Sequence, residues 1–265
     1  MKNINLNGSG ITFEQDGKLL FNEEEHIYSL EGTGKLTSVS GVVAKFFREF
    51  DAQGISLKKC FGDEKRAAAL RDEWALKGAV ASQAGTHLHK QIEDYLTEGK
   101  EPSLTCNVDF EGECSNCKQI VDITKEWNFF KNFERSTKFV PFRTEWRIYD
   151  ADARIAGTLD FICACPNGTY EIYDWKRSNR INPEERNPYA QGKNGLEHLT
   201  DTSYSHYCLQ QNLYKYILEK NYGIKISRMN LVVLHPELAD YKVVPVECME
   251  REVRIMLNKL PYLSD

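Results

Sequence analysis

The sequence has no long hydrophobic run and no strong excess of charge of either sign. No stretch reaches the roughly 18 apolar residues that a membrane span needs, and residues 1–7 have no apolar core of a signal peptide. We therefore expect a cytoplasmic protein that does not associate with membranes. The 34 Lys and Arg against 39 Asp and Glu give a formal charge of −5. This balance argues against a protein that coats nucleic acid, but it leaves room for a local basic groove.

The eight cysteines also lack the regular spacing of a disulfide framework. Free thiols are the usual state of cysteine in a reducing compartment. Cys114 and Cys117 have the spacing of a zinc-ligand pair, and Cys106 lies nearby, but no fourth ligand is evident close to them. Free cysteines in a loop and a structural metal site both stay open, and we favour the free cysteines.

Internal repeats and low-complexity tracts are absent, so the organisation must come from hydrophobic patterning. With 265 residues, 41% of them hydrophobic, the chain can bury a large core as one domain, or as one domain with an elaboration. Short strands and turns are predicted over residues 1–36. A helix capped by Ser38 or Ser40 follows and ends near Asp51, and residues 63–78 form a second helix. We assign residues 1–78 to an N-terminal elaboration that packs on a core formed by residues 79–265.

The rest of the chain alternates between helical and strand patterns. Helices are predicted over residues 79–97, 119–136, 204–221 and 249–260. Strands are predicted over 139–149, 154–164, 169–176 and 229–235, with another near 241–247. The segments 98–118 and 177–203 are predicted to be polar and irregular, and a loop as long as the second is often functional. These elements predict an α/β fold in which a mixed central sheet is flanked by helices.

A hairpin carries the main candidate site. Asn167-Gly168 is a strong turn signal between two strands. Side chains two apart on a strand share a face, so Asp174 and Lys176 point the same way, and Asp160 comes from the neighbouring strand. Two acids and a lysine on one face of a sheet are costly as core and predict a metal site with a cationic helper. A cross-strand ion pair at the surface is the alternative.

Two helices carry further candidates. His89 and Glu93 are four residues apart on one helix face, a spacing that suits either a metal ligand pair or an ordinary solvated pair. Gln210 and Tyr214 share a face of the helix 204–221 and could organise a site or form a hydrogen-bonded core pair. Gly85 would let another backbone or a substrate approach the first helix closely.

Together these patterns resemble a known family. The order αβββαβ, with Gly157-Thr-Leu-Asp160 followed by Asp174-Trp-Lys176, resembles the PD-(D/E)XK nuclease superfamily. Gly85-Thr-x-x-His89 upstream and Gln210-x-x-x-Tyr214 downstream are similar to its RecB-type exonuclease branch. That branch includes the mitochondrial genome maintenance exonuclease and phage and CRISPR-associated nucleases. The resemblance covers roughly residues 80–235 and implies a restriction-endonuclease-like core.

The resemblance also implies roles for individual residues. A site for one or two Mg²⁺ or Mn²⁺ ions would be formed by His89, Asp160, Asp174 and the backbone carbonyl of Trp175. Lys176 would activate the attacking water and stabilise charge on the phosphate, while Gln210 and Tyr214 would organise the site. Glu93 and Glu145 are acids that often accompany the pattern. The basic residues expected to contact DNA are Arg177, Arg180, Arg186 and Lys193.

The implied function is hydrolysis of DNA phosphodiester bonds in replication, recombination or repair, in a bacterial or phage setting. A stand-alone exonuclease is expected because the chain has no P-loop. A structure-specific or RNA-directed endonuclease and a non-catalytic nucleic-acid-binding module are the alternatives. We expect no iron–sulfur cluster, since only Cys208 and Cys248 follow the hairpin where relatives have a C-terminal triad. Phe46, Phe47 or Trp74 are either core residues or a stacking surface for single strands.

Overall fold

A mixed sheet lies at the centre of the fold, which the computed structural model describes for residues 5–23 and 25–263. The strands are β1 (Leu19–Asn22), β2 (Ile27–Leu30), β3 (Gly34–Ser38), β4 (Thr105–Glu111), β5 (Asn116–Asp122), β6 (Val140–Asp150), β7 (Ile155–Ala164), β8 (Tyr170–Lys176), β9 (Ile226–Val233) and β10 (Lys242–Pro245). The helices are α1 (Val39–Ala44), α2 (Ala52–Lys59), α3 (Glu64–Glu98), α4 (Thr124–Thr137), α5 (Ser203–Asn221) and α6 (Glu250–Lys259), followed by a 3₁₀ turn, Leu260–Tyr262.

Strand β7 is the hub of the eight-stranded sheet. It pairs antiparallel with β6 along its length, parallel with β3 at its start, and antiparallel with β8 at its end. Strand β8 then pairs in parallel with β9, which pairs antiparallel with β10. The sheet is therefore mixed and flanked by helices, which confirms the predicted α/β class. The predicted strands at 139–149, 154–164 and 169–176 are confirmed to within one residue at each end.

The N-terminal helical region differs from the prediction. Ser38 caps α1 by accepting the backbone N–H of Gly41 at 3.0 Å, as expected. The helix ends at Ala44 rather than near Asp51, however, because Asp51 is itself the cap of α2 and accepts the N–H of Gly54 at 2.8 Å. A side chain that satisfies the first N–H groups of one helix marks its start rather than the end of another.

The predicted helices 63–78 and 79–97 are a single helix, α3, of 35 residues. Asp63 caps its start and Gly99, in the left-handed conformation, ends it. Gly78 does not break the helix, since glycine inside a helix costs only about 1 kcal/mol relative to alanine. The predicted domain boundary between residues 78 and 79 therefore falls inside a continuous element.

The segment 98–118 is not an irregular insertion. It contains β4, which with β5 forms a separate two-stranded hairpin, so the predicted helix 119–136 begins only at Thr124. The alternation of Cys106, Val108 and Phe110 with polar residues along β4 is the signal that sequence analysis missed, and these three side chains are the buried ones. Asp72 of α3 holds the hairpin turn by accepting N–H groups from Glu113 and Cys114.

The core has a layer on each face of the sheet. One layer packs α1, α5 and α6 against the sheet, and the other packs α3 and α4 against it. Trp175 and Phe161, in the second layer, stack with their ring centroids 5.6 Å apart. None of the helices formed by the described residues is long and apolar enough to cross a membrane.

Candidate metal centre

The hairpin formed by β7 and β8 brings the predicted acids together. Asp160 Oδ2 accepts the backbone N–H of Trp175 at 2.9 Å, which joins the middle of β7 to the end of β8. Asp174 and Lys176 lie on the face opposite the Trp175 ring, and the Lys176 Nζ is 2.5 Å from Asp174 Oδ2. The side chains of Asp160 and Asp174 are both buried. The period-two prediction for this strand is therefore confirmed.

Helix α3 places His89 over the same strand ends. The Nε2 of His89 lies 2.9 Å from the carbonyl oxygen of Trp175, and its Nδ1 lies 3.5 Å from Asp160 Oδ2 and 3.9 Å from Glu145 Oε1. One ligand atom from each of His89, Glu145 and Asp160 lies within 4.8 Å of the other two. Three side chains from three different elements thus converge on one point.

Glu145 reaches this point through an unusual backbone conformation. It lies within β6, opposite Asp160, between the register pairs Thr144–Phe161 and Trp146–Leu159. Its φ of 45° is in the left-handed region, where residues other than glycine are strained by about 1–3 kcal/mol. Sequence analysis treated Glu145 as an accompanying acid, and the structure places its carboxylate beside His89 and Asp160.

Two side chains of helix α5 contact the Asp174–Lys176 pair. Gln211 is fully buried, and its Nε2 donates to Asp174 Oδ1 at 2.8 Å. Its Oε1 has no hydrogen-bond partner among the described residues. One turn earlier on α5, the ring of Tyr207 has its centroid 4.4 Å from Lys176 Nζ. Both members of the pair are therefore contacted by one face of α5.

The glutamine that contacts the candidate site is Gln211 rather than the predicted Gln210. Gln210 donates through Nε2 to the hydroxyl of Tyr214 at 3.1 Å, the hydrogen-bonded pair that was the alternative interpretation. The Tyr214 ring packs against Gly157, where a Cβ atom would lie 2.6 Å from Cε1. Two adjacent glutamines occupy this turn of α5, and the pattern alone did not decide which of them faces the sheet.

Buried negative charge dominates the electrostatics. Burial raises the pKa of Glu145 well above its usual range, and the carboxylates of Asp160, Glu93 and Asp174 raise it further. Burial likewise raises the pKa of Asp174, with a further contribution from Asp160 that Lys176 opposes. The Lys176 pKa is raised, because the attraction of Asp174 and Asp160 outweighs the effect of its burial. The carboxylates of Asp160, Asp174, Glu145 and Glu93 thus lie close enough to affect one another, an arrangement that a cation would stabilise.

The residues present fit a divalent metal ion. Carboxylate and carbonyl oxygens are the ligands of Mg²⁺, and an imidazole nitrogen extends the preference to Mn²⁺. His89, Glu145 and Asp160, with the carbonyl of Trp175 next to His89, could hold one ion. Asp174 is next to this group but is held by Lys176 and Gln211. Glu93, one turn after His89, is buried and paired with Lys90 at 3.1 Å.

Of the four residues predicted to contact DNA, one is buried in an ion pair and three are exposed. Arg177 forms an ion pair with the fully buried Glu126 of α4 at 2.8 Å, so its guanidinium lies inside the protein rather than on a DNA-facing surface. Arg180, Arg186 and Lys193 are exposed on the long loop after β8.

Gly85 packs against the side chain of Arg177, since a Cβ there would lie 3.8 Å from the Arg177 Cβ. Gly85 therefore does allow a close approach, as predicted, but the group that approaches it is the Arg177 side chain.

The remaining aromatic and cysteine candidates lie in the core, in aromatic contacts or on the β4–β5 hairpin. Phe46 and Phe47 belong to the main core, while Trp74 is half-buried with its ring centroid 5.6 Å from that of Phe50. Cys106 is buried beside the backbone carbonyl of Gln83, and Cys114 is exposed at the hairpin turn. Within the described part of the chain, the group of side chains close enough to share a metal ion contains no cysteine.

Comparisons with known proteins add little to this geometry. No family model matches the chain, and no curated protein matches it. A solved structure described as "Crystal structure of SSO0001" is similar, with 11% sequence identity over 86% of this chain and 76% of that one, and a TM-score of 0.32. A TM-score this low does not bear on function.

Proposed function

We propose that the protein is a divalent-metal-dependent nuclease of the PD-(D/E)XK type that hydrolyses DNA phosphodiester bonds, and that it acts as a stand-alone exonuclease. The observation that carries the proposal is the convergence of His89, Asp160 and the Trp175 carbonyl beside the Asp174–Lys176 ion pair. These residues come from α3, β7 and β8, and they are those that the family resemblance selects. Their joint placement is not expected of surface ion pairs.

The chemistry of these residues suits phosphodiester hydrolysis. A divalent ion bound at such a site supplies a water-derived nucleophile at neutral pH and offsets charge on the phosphate oxygens. His89, Glu145 and Asp160 supply the nitrogen and oxygen donors for it. Lys176 places a compact positive charge next to them, where it can orient water and stabilise negative charge that develops on the phosphate.

The exposed basic residues on the loop that leaves the site support a nucleic-acid substrate, and the family resemblance makes DNA the proposed one. Arg180, Arg186 and Lys193 follow β8, whose last residue is Lys176, within 17 residues of it. Contacts from such residues to phosphates position a strand without reading its sequence. The formal charge of −5 means that any attraction for DNA must be local to this loop and the site.

The test is digestion of end-labelled linear single- and double-stranded DNA, and of a closed circle, with Mg²⁺, Mn²⁺ or EDTA. Wild-type protein is expected to shorten linear DNA only with metal and to leave the circle intact. Lys176→Ala is expected to be inactive. Lys225→Ala, which removes an exposed lysine on the loop before β9, is the matched control and is expected to retain activity.

Other outcomes separate the alternatives. Cutting of the circle by wild-type protein would identify an endonuclease, and cleavage of RNA but not DNA would identify an RNA-directed enzyme. Metal-independent cleavage, or equal activity of wild-type and Lys176→Ala, would contradict the proposed site. Binding of DNA without cleavage under any metal condition would leave the non-catalytic module as the function.

A further inference from the structure

The Lys176 ammonium lies between a carboxylate and an aromatic ring. Its Nζ is 2.5 Å from Asp174 Oδ2 and 4.4 Å from the centroid of the Tyr207 ring. Ammonium groups within about 6 Å of an aromatic face are attracted by the ring quadrupole. The lysine side chain is only 15% exposed, so this attraction is weakly screened by water. Tyr207 is therefore an electrostatic partner of Lys176 and not only a packing neighbour.

Tyr207 and Gln211 act on the two members of the ion pair from adjacent turns of α5. Gln211 donates to the Asp174 oxygen that Lys176 does not contact. Residues four apart on a helix stack on one face, so the two side chains are placed together by the helix itself. The hydroxyl of Tyr207 makes no hydrogen bond to any residue that the structure describes. The ring, and not the hydroxyl, is the part that contacts the site.

We propose that Tyr207 is a positioning residue that holds the Lys176 ammonium at the phosphate site through a cation–π contact. The inference rests on the proposed nuclease function. The Asp174 carboxylate lies next to the candidate metal ligands, and a divalent cation held by them would compete with Lys176 for its oxygens. The face of a neutral ring attracts the ammonium but offers no oxygen or nitrogen ligand to Mg²⁺ or Mn²⁺, so it would keep Lys176 in place if the carboxylate were shared. No sequence motif that we used to predict the site includes Tyr207.

Two substitutions separate the ring from the hydroxyl. Tyr207→Phe keeps the aromatic face and is expected to retain wild-type kcat. Tyr207→Leu removes it and is expected to lower kcat by about 3- to 30-fold, the range that corresponds to loss of a cation–π contact. KM for DNA and the Mn²⁺ dissociation constant are expected to stay unchanged, because the contact that Tyr207 makes at the site is with Lys176, which is not one of the candidate metal ligands.

Tyr216→Leu is the matched control on the same helix. Tyr216 also faces a lysine, with the Nζ of Lys220 5.6 Å from its ring centroid, but that lysine pairs with Asp150 and Asp152 away from the site. The control is expected to keep wild-type kcat. Wild-type kcat in Tyr207→Leu would overturn the proposal, and so would a loss in Tyr207→Phe as large as that in Tyr207→Leu.

A second measurement does not depend on activity. In protein with ¹³C-labelled lysine, the ε-methylene signal of Lys176, identified by its disappearance in Lys176→Arg, is expected to be shifted upfield by the Tyr207 ring. The shift should persist in Tyr207→Phe and vanish in Tyr207→Leu. An unshifted signal in wild-type protein would overturn the placement of Tyr207, even if Tyr207→Leu fails to fold. A shifted signal in a wild-type protein that cleaves nothing would refute the nuclease function instead.

Discussion

At the residue scale, Glu145 combines two costly features. Its backbone is in the left-handed region within a strand, and its carboxylate is largely buried beside Asp160 and His89. Strained residues of this kind persist only where the surrounding structure holds them, and they cluster at functional sites. The strain observed at Glu145 thus supports a functional role for its carboxylate, which local sequence patterns do not reveal.

Gly157 is a residue at which a single methyl group should disturb the candidate site. A Cβ atom at this position would lie 2.6 Å from Tyr214 Cε1 and 3.3 Å from Val39 Cγ2, and both side chains are buried. Gly157→Ala is expected to lower the free energy of unfolding by about 1–3 kcal/mol, the usual cost of overpacking. Urea denaturation measures this change.

Gly78→Ala is the matched control for that substitution. Gly78 is in the middle of α3, and a Cβ there meets no atom within 4 Å. Alanine is expected to stabilise the protein by about 0.5–1 kcal/mol, because glycine is the poorer helix former. Equal effects at the two glycines would show that Tyr214 does not pack on β7 as described.

The buried pair Arg177–Glu126 should be essential for stability. Arg177→Ala leaves the fully buried Glu126 carboxylate without its partner, which typically costs about 3–5 kcal/mol. Arg180→Ala, three residues later and exposed, is expected to change the unfolding free energy by no more than about 0.5 kcal/mol. Urea denaturation of the two variants provides the comparison. A mild effect of Arg177→Ala would mean that the ion pair does not hold the end of β8.

At the element scale, the β4–β5 hairpin depends on one carboxylate of α3. Asp72 accepts N–H groups from Glu113 and Cys114 at 2.7 and 2.8 Å and the hydroxyl of Ser115 at 3.0 Å. Its pKa is lowered, above all by the hydrogen bond from Cys114. The hairpin is thus attached to α3 by a charged group that prefers to be ionised.

The sign of the pH dependence follows from that lowered pKa. The ionised form is favoured in the folded state, so the contribution of Asp72 is complete above its ordinary pKa of 3.8 and is lost as the pH falls below that value. Hydrogen-exchange protection of the Glu113 and Cys114 amides is expected to hold from pH 7 to about pH 4 and to decrease below it. Asp72→Ala should abolish this protection at every pH. Full protection in the variant would contradict the anchoring role.

At the scale of the whole molecule, the surplus of buried acids predicts that metal binding stabilises the fold. A ligand at 100 times its dissociation constant adds about 2.7 kcal/mol, which corresponds to a rise in Tm of about 5–10 °C for a protein of this size. Differential scanning calorimetry with Mn²⁺ and with EDTA measures the shift. We expect the rise in wild-type protein and its loss in Asp160→Asn.

Two variants refine that measurement. Asp152→Asn makes the same change at an acid whose side chain is 87% exposed, and it should keep the full shift. Glu145→Gln should weaken Mn²⁺ binding by about 10- to 100-fold, whether Glu145 binds the ion or orients a ligand. The same Mn²⁺ shift in Asp160→Asn as in wild-type protein would contradict the proposed metal site.

The sequence by itself determined the features that depend on local spacing. Period-two and helical patterns predicted β6, β7, β8 and α5 closely, and Asn167-Gly168 predicted the hairpin turn. The same spacing placed Asp174 and Lys176 on one face. The β4–β5 hairpin was missed although apolar and polar residues alternate along β4, because its polar residues and cysteines were interpreted as a loop.

Only the tertiary structure decided the features that depend on contacts between distant segments. It selected Gln211 over its neighbour to hold Asp174, turned Glu145 towards His89, and buried Arg177 against Glu126. Each of these partners is at least 37 residues away in the chain. Local propensity describes which face of an element a residue occupies, but the group that meets that face is set by how the whole sheet and its helices pack.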